Sequence, residues 1–136
     1  MTILTGQDWL VYVLSNDATL TGLGVTGVYA GDAPLSAEYP FIEVRFVNGN
    51  PLMNNAAAIV WLDEIFDVKC VDQSKSWTRS ISIADRILAL LHGKTEQVQG
   101  SGVMVGCSVE DKIQYSETDE LKTFIHLGYT FRVYSR

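Results

Sequence analysis

The chain has 136 residues, of which 47% are hydrophobic and 19% charged, and its formal net charge is −6. A chain of this size suits one globular domain, residues 1–136, which removes roughly two-thirds of its unfolded surface from water. The charge excludes a specific nucleic-acid interface, because phosphate binding requires clustered Lys and Arg and the ten basic residues here are scattered.

The first residues have neither a basic start nor a continuous apolar core, and no run reaches the roughly 18 apolar residues of a membrane span. We therefore expect a soluble, intracellular protein without membrane contact. Cys70 and Cys107 lie in apolar, strand-like stretches. They are expected to be buried free thiols, with a disulfide as the minor alternative.

The N-terminal third predicts a helix followed by two strands. Thr5 is placed to cap the helix, and its apolar stripe runs from Trp9 to Leu14. A glycine-rich turn from Gly22 to Gly27 leads to a short strand at Val28-Tyr29. After a loop with two prolines, apolar and charged residues alternate from Phe41 to Val47, which predicts a strand with one wet or partner-facing side.

The middle of the chain carries the clearest pattern. A connector rich in turn residues, Asn48 to Ala58, precedes a long strand in which every second position is apolar with one exception. The core-facing positions of that strand are Val60, Leu62, Phe66, Val68 and Cys70. A helix from about Ser76 to Leu91 follows, and its predicted apolar stripe is Trp77, Ile81, Ala84, Leu88 and Leu91.

The C-terminal third predicts a polar loop and two strands. The loop runs from His92 to Gly102, and the strands run from Val103 to Tyr115 and from Thr123 to Tyr134. The turn between them is Ser116 to Glu120. The expected fold is α+β, an antiparallel sheet of about four strands with helices packed on one face.

The sheet face away from the helices is predicted to be more apolar than a merely solvated surface. Ile59, Trp61, Ile65 and Val71 lie there among charged residues. Large apolar surface that a lone domain leaves uncovered commonly marks an interaction site. The pattern therefore indicates a partner, although Trp61 could instead fill the protomer's own core, since aromatic side chains dominate both settings.

Two sequence patterns suggest a ligand site, but the predicted elements around each of them do not fit that site. Gly22 to Gly27 matches the glycine spacing of a dinucleotide-binding turn, but it follows a helix and leads into a strand, which is the reverse order. Asp63 and Asp67 fall on one side of the long strand and Glu64 on the other, so the three carboxylates do not converge on a metal. The glycines are interpreted as a plain turn and the acids as a charged surface.

The histidines offer no catalytic set either. His92 and His126 lack the short paired spacing with each other or with the two cysteines that a metal site uses. Spacing alone leaves a Cys–His pair open, but nothing places a nucleophile beside a base and an orienting third group. We expect no catalytic, cofactor-binding or metal-binding residues, no cofactor, and no enzymatic activity.

Three stretches resemble the tail-completion or tail-terminator proteins, which join head to tail in long-tailed bacteriophages and their prophages. The opening is Gly27-Val-Tyr-Ala-Gly-Asp-Ala-Pro34 followed by Tyr39-Pro-Phe-Ile-Glu-Val-Arg45. The middle is Phe66-Asp-Val-Lys-Cys70, leading into a helix that ends Ala84-Asp-Arg-Ile-Leu-Ala-Leu-Leu91. The ending is Glu117-Thr-Asp119 before the strand from Ile125 to Tyr134. The similarity covers nearly the whole chain in element order, and no single residue is diagnostic.

That resemblance implies a structural virion protein. In the family it is a homo-oligomeric ring, a hexamer, that caps the finished tail tube and joins the tail to the head connector. It implies assembly in the bacterial host cytoplasm and a place in the virion tail, with the tube and connector proteins as partners. Genomic DNA would pass the ring without specific binding, and an acidic lumen would repel its phosphates.

Closed rings form when one surface of a subunit meets a different surface on the next copy. Given the resemblance, we expect Ile59, Trp61 and Ile65 to contribute to a subunit interface. Leu52 and Met53 on the long connector are expected to reach a neighbour or the tail tube. The alternative is a small-ligand-binding or enzymatic α+β domain with a pocket between helix and sheet.

Overall fold

A computed structural model describes residues 4–56 and 59–136, in which three helices and six strands follow one another. They are α1 (Thr5–Ser15), α2 (Ala18–Gly22), β1 (Val28–Ala30), β2 (Phe41–Met53), β3 (Ile59–Gln73), α3 (Thr78–Leu91), β4 (Thr95–Gln99), β5 (Gly102–Asp119) and β6 (Lys122–Ser135). In this part of the chain, no helix combines the length and the apolar character that crossing a membrane requires.

The strands form one sheet in the order β1-β2-β3-β6-β5-β4. Every neighbouring pair is antiparallel except β1 and β2, which run parallel. The sheet is strongly curled into a half-barrel. The predicted α+β class is confirmed, but the prediction of an antiparallel sheet of about four strands is wrong, because the sheet has six strands and is mixed.

The two strands beyond the four of the predicted sheet, β1 and β4, lie at its edges. β1 was expected as a short strand and joins in parallel, because the loop before Phe41 returns the chain to the same end. β4 lies inside the predicted loop from His92 to Gly102. Its residues are polar except for the exposed Val98, so it has no apolar alternation, and it is held by its pairing with β5.

Both long hairpins extend further than predicted. β2 continues past Val47 to Met53, so most of the predicted connector is strand. β5 and β6 pair as far as Asp119 and Lys122, around a turn in which Glu120 and Leu121 have positive φ angles of 48° and 69°. Two such residues match the twist of antiparallel strands. The extensions are exposed, so backbone pairing rather than burial holds them.

The hydrophobic core lies between the helices and one face of the sheet, which we call the helix-side face. All three helices and four strands contribute to it, which fits the predicted placement of helices on one face. On β6, Leu127, Phe131 and Val133 are buried as the alternation predicted. The cysteines are also confirmed as buried free thiols, and burial raises the pKa of both to about 12.

Helix α3 is rotated relative to its predicted stripe. Its buried residues are Ser80, Ile83, Ala84, Ile87 and Leu91, whereas Ile81 is 49% exposed. The helix carries two overlapping apolar stripes, and spacing alone does not say which one faces the sheet. The stripe that contains Ile83 and Ile87 buries more aliphatic surface against β3 and β6.

Helix α1 begins one residue earlier than the capping pattern predicted. Leu4, not Thr5, occupies the N-cap position, and Thr5 is buried in the first turn. The Thr5 side chain fills the space that a side chain at Gly102 would need. Further along, the Trp9 indole nitrogen donates a 2.7 Å hydrogen bond to Gln97 of β4, which ties α1 to the edge strand.

Asp17 joins α2 to α3. Its carboxylate accepts a hydrogen bond from the Leu20 backbone at 3.0 Å as the N-cap of α2, and two from the Arg86 guanidinium at 3.0 and 2.7 Å. The Arg86 hydrogen bonds hold the pKa of Asp17 below its usual value. One carboxylate therefore orders a helix start and an interhelical contact.

We expect Asp17→Ala to lower the free energy of unfolding by about 2 kcal/mol at pH 7, since it removes a cap and a bidentate ion pair. Because the pKa of Asp17 is lower in the folded protein than in the unfolded chain, its carboxylate stabilises the fold at pH values above the unfolded-state pKa. The stability difference between wild type and Asp17→Ala should therefore shrink as pH falls below about 4. Urea unfolding at both pH values measures it. The exposed Asp85→Ala is the control, and a pH-independent difference would contradict the ion-pair explanation.

Candidate functional site

The end of the β2–β3 hairpin carries apolar side chains that are exposed or, for Trp61, half-buried. We call this end the hairpin tip: Leu52, Met53, Ile59, Val60 and Trp61. The prediction that Val60 faces the core is wrong, because the hairpin extends beyond the helices and leaves this residue 39% exposed. Leu52 pairs with Trp61 and Met53 pairs with Ile59 across the two strands. Leu52, Met53 and Ile59 are 40%, 62% and 47% exposed. The structure therefore brings four of the five residues predicted to form an interface to one end of the hairpin, on paired strands rather than on a flexible loop. Leu52 and Trp61 share one face of the hairpin, and Met53 and Ile59 share the other.

Trp61 lies on the outer face of the sheet, away from the helices, where it is half-buried. The Arg136 guanidinium lies 6.0 Å from the centre of its ring, at the distance of a cation–π contact. The structure thus places Trp61 outside the helix-covered core. Ile65 is also half-buried on the outer face, but it pairs with Asn48 and Arg132, four residues along β3 from Trp61.

The rest of the outer face is organised by ion pairs. Arg132 on β6 contacts Asp63 of β3 at 2.7 Å and Glu110 of β5 at 2.5 Å. The Thr130 hydroxyl donates a 2.7 Å hydrogen bond to Asp67. The predicted charged surface is therefore a network that crosses three strands. Glu64 projects to the opposite face, as its place in the alternation predicted, but its interpretation as a surface acid is wrong, because α1 covers it.

Each histidine has a structural partner. His92 Nδ1 accepts a 3.0 Å hydrogen bond from the Val109 backbone. His126 stacks on Tyr115 with ring centres 4.3 Å apart, and its Nε2 lies 2.6 Å from Glu117 Oε1. Burial lowers the pKa of His126, and Lys69 adds to this. The sheet separates His126 from both cysteines.

The described residues also contain no group of three or more His, Cys, Asp or Glu side chains placed to hold a metal ion. The glycine-rich segment from Gly22 to Gly27 connects the end of α2 to β1. That order is the reverse of a dinucleotide-binding turn, whose helix must follow the glycines. The segment acts as a connection.

A pocket of about 410 Å³ lies on the helix-side face, where the first turn of α1 crosses the β2–β3 hairpin. We call it the Glu64 pocket. Its lining is Leu4, Gln7, Phe46, Gly49, Pro51, Leu62, Glu64 and Phe66. Only one of these side chains is ionisable. Sequence patterns alone do not predict this pocket, because its lining comes from α1, β2 and β3, which meet only in the folded protein.

Glu64 is unusual for a carboxylate because only 7% of its surface is exposed. Among the described residues, its Oε1 atom has no hydrogen-bond partner. Burial raises the pKa of this carboxyl above its ordinary value. A buried ionised oxygen without a partner costs free energy, so we expect the Glu64 carboxylate to oppose folding at neutral pH.

Two glycines make room for this side chain. A Cβ atom at Gly6 of α1 would lie 3.2 Å from Glu64 Oε1, and a Cβ atom at Gly49 of β2 would lie 3.2 Å from its Cγ. Neither glycine has the positive φ that would otherwise favour glycine. Their role is therefore space, because glycine weakens a helix or strand unless a close approach requires it.

We expect Glu64→Met to raise the free energy of unfolding by about 1–2 kcal/mol at pH 7, because it removes an uncompensated buried charge and keeps the volume. Because the pKa of Glu64 is raised in the folded protein, its carboxylate destabilises the fold only as pH rises above the ordinary carboxyl range. The stability difference between Glu64→Met and wild type should therefore become smaller below pH ~4. Thermal unfolding at both pH values tests this, with the exposed Glu38→Gln as a neutral control. A destabilised variant at pH 7 would contradict it.

No protein-family model matches the sequence, and no curated protein matches it. Among solved structures, the chain is similar to one described as "Virion of native gene transfer agent (GTA) particle". The two share 19% sequence identity and superpose with a TM-score of 0.61, over 98% of this chain and 99% of the other. At that identity, the similarity establishes a shared fold over nearly the full length.

Proposed function

We propose that this protein is a structural component of a phage-like particle, which forms a ring on the end of the tail tube and joins the tail to the head connector. The observation that carries the proposal is the hairpin tip. Its apolar side chains are exposed or half-buried and lie on paired strands at one end of the sheet, and such a surface is typical of an assembly contact.

Two similarities support the same class of protein. The element order resembles the tail-completion and tail-terminator family of long-tailed phages. Independently, the full-length structural match is to a chain of a gene transfer agent virion, whose printed description names the particle and no position within it. Both similarities therefore support a place in a phage-like particle. The tail-capping role and the hexameric ring rest on the family resemblance.

In the proposed ring, the hairpin tip of one subunit contacts a different surface of the next, as closed rings require. Leu52, Met53, Ile59 and Trp61 form the centre of that contact, and Ile65 extends it along the outer face. Tail tube and head connector proteins are the further partners. The net charge of −6 suits a passage for DNA, because an acidic wall does not retain phosphates.

Deleting the gene in a particle-producing host tests the tail-capping role. The expected result is filled heads and unattached tails in the lysate, seen by negative-stain electron microscopy, with joined particles restored by the gene in trans. Antibody labelling of intact particles should decorate the junction between head and tail. Normal particles from the deletion strain, or label confined elsewhere, would contradict the proposal.

The second candidate is a small-ligand-binding domain, which the sequence left open as a pocket between helix and sheet. The Glu64 pocket is an observation in its favour, with a volume in the range of small-ligand sites. Such a domain would show a melting temperature that shifts with its ligand.

A further inference from the structure

The Glu64 pocket combines apolar walls with one buried acid. Leu4, Phe46, Pro51, Leu62 and Phe66 supply the walls. Glu64 supplies a carboxylate at the boundary with α1, where it lies between Gly6 and Gly49. A ligand that fits both features needs a hydrocarbon part against the walls and a cation at its end.

None of the other side chains that line the pocket in the described part of the chain is charged, so the acid lacks a cation there. A carboxylate buried in this way is costly unless a positive group binds beside it. Gln7 is polar but neutral. Among residues 4–56 and 59–136, the pocket is therefore electrostatically incomplete, and a cation would complete it.

We propose that the Glu64 pocket receives a Lys or Arg side chain from a partner protein, with the aliphatic stem on the apolar walls and the cationic end at the Glu64 carboxylate. Long basic side chains have this two-part character, since their stems bury readily while the head keeps its charge. A charge-assisted hydrogen bond in a water-poor site is among the stronger polar contacts.

The position of the pocket favours a protein side chain over a free metabolite. Pro51 lines the pocket, and Met53 of the hairpin tip lies two residues further along β2 on the same face of the strand, so the two sites are continuous along β2. Phe46 lines the pocket and is 50% exposed. A partner that covers the tip can thus place a basic residue in the pocket, and the net negative charge of the chain attracts such a partner.

The chemistry can be tested without knowing the partner, using n-butylguanidinium and n-butylammonium as probes and n-butanol as the neutral control. Two-dimensional amide NMR of the full chain follows titration, with the Gln7 and Gly49 signals as reporters. We expect both cations to bind in the millimolar range and to move these signals. n-Butanol should bind at least about tenfold more weakly, because it lacks the charge.

Two variants of the acid separate binding from folding. Glu64→Gln keeps the shape and Glu64→Met keeps the volume, and each should weaken n-butylguanidinium binding at least about tenfold while remaining folded by NMR. Glu38→Gln removes one exposed acid and should leave binding unchanged. Equal binding of the cation to wild type and Glu64→Gln, or no response at Gln7 and Gly49, would overturn the proposal.

The source of the cation follows from the mass of wild type and Glu64→Gln in solution. If the substitution weakens self-association, the basic residue belongs to another copy of this chain. If the mass is unchanged while n-butylguanidinium no longer binds, the basic residue belongs to a different protein of the particle. The probe titration does not depend on ring formation, so failure of the ring proposal and failure of this one are distinguishable.

Discussion

Replacing Trp61 by Ala is expected to convert an oligomer of this protein into a folded monomer. Central tryptophans are frequent hot spots, and losing one typically costs at least about 2 kcal/mol of binding, which is roughly a thirtyfold weaker contact. Within the protomer, the indole contacts Arg136 and pairs with Leu52 on the outer face. The fold should therefore lose only about 1 kcal/mol.

The matched pair for this test is a leucine at each hairpin end. Leu52→Ala at the hairpin tip should also weaken assembly, whereas Leu121→Ala in the turn of the β5–β6 hairpin, where the side chain is 95% exposed, should not. Circular dichroism and light scattering on the same samples separate folding from assembly. If Trp61→Ala fails to fold, Trp61 is a core residue and the interface assignment is wrong.

Gly128→Ala is expected to lower the free energy of unfolding by at least about 3 kcal/mol. The variant should therefore unfold at a much lower urea concentration than the wild type, or be unfolded without urea. Gly128 pairs with Lys69 in the centre of the sheet. A Cβ atom there would lie 2.1 Å from the Val68 carbonyl oxygen and 2.5 Å from Lys69 Cα. Both are backbone atoms of β3, so relief requires the two central strands to separate.

Gly106→Ala is the control, because it also places a methyl group on a paired strand. Its Cβ atom would meet only Tyr134, at 4.0 Å. It should be neutral or slightly stabilising, since alanine restricts the unfolded chain more than glycine does. Urea unfolding compares the two. A Gly128→Ala variant as stable as wild type would contradict the close approach of β3 and β6.

The sequence predicts the part of this fold in which one side of an element is buried and the other is not. β3 and β6 alternate between core and outer face, so their extent and facing are readable. The pattern fails in β4 and in the far ends of the two hairpins, where both sides of the strand are exposed. There the chain pairs through its backbone, and alternation of side chains carries no signal.

The candidate site divides in the same way. Four apolar residues could be identified as lacking a place in the core, although their pairing across two strands depends on the unexpected length of β2. They are Leu52, Met53, Ile59 and Trp61. The Glu64 pocket could not be identified, because α1 and the hairpin meet only after folding. The only corresponding sequence feature we find is a pair of glycines, Gly6 and Gly49, which lie within a helix and a strand where no turn requires glycine.

The central claim, self-assembly through the hairpin tip, is tested most directly by the mass of the purified wild-type protein. Size exclusion with light scattering across a wide concentration range measures it, with negative-stain images of the same fractions. We predict a mass that is a multiple of the 15.1 kDa protomer, closed rings in the images, and no requirement for a small molecule. A strictly monomeric protein at the highest concentration would contradict the claim.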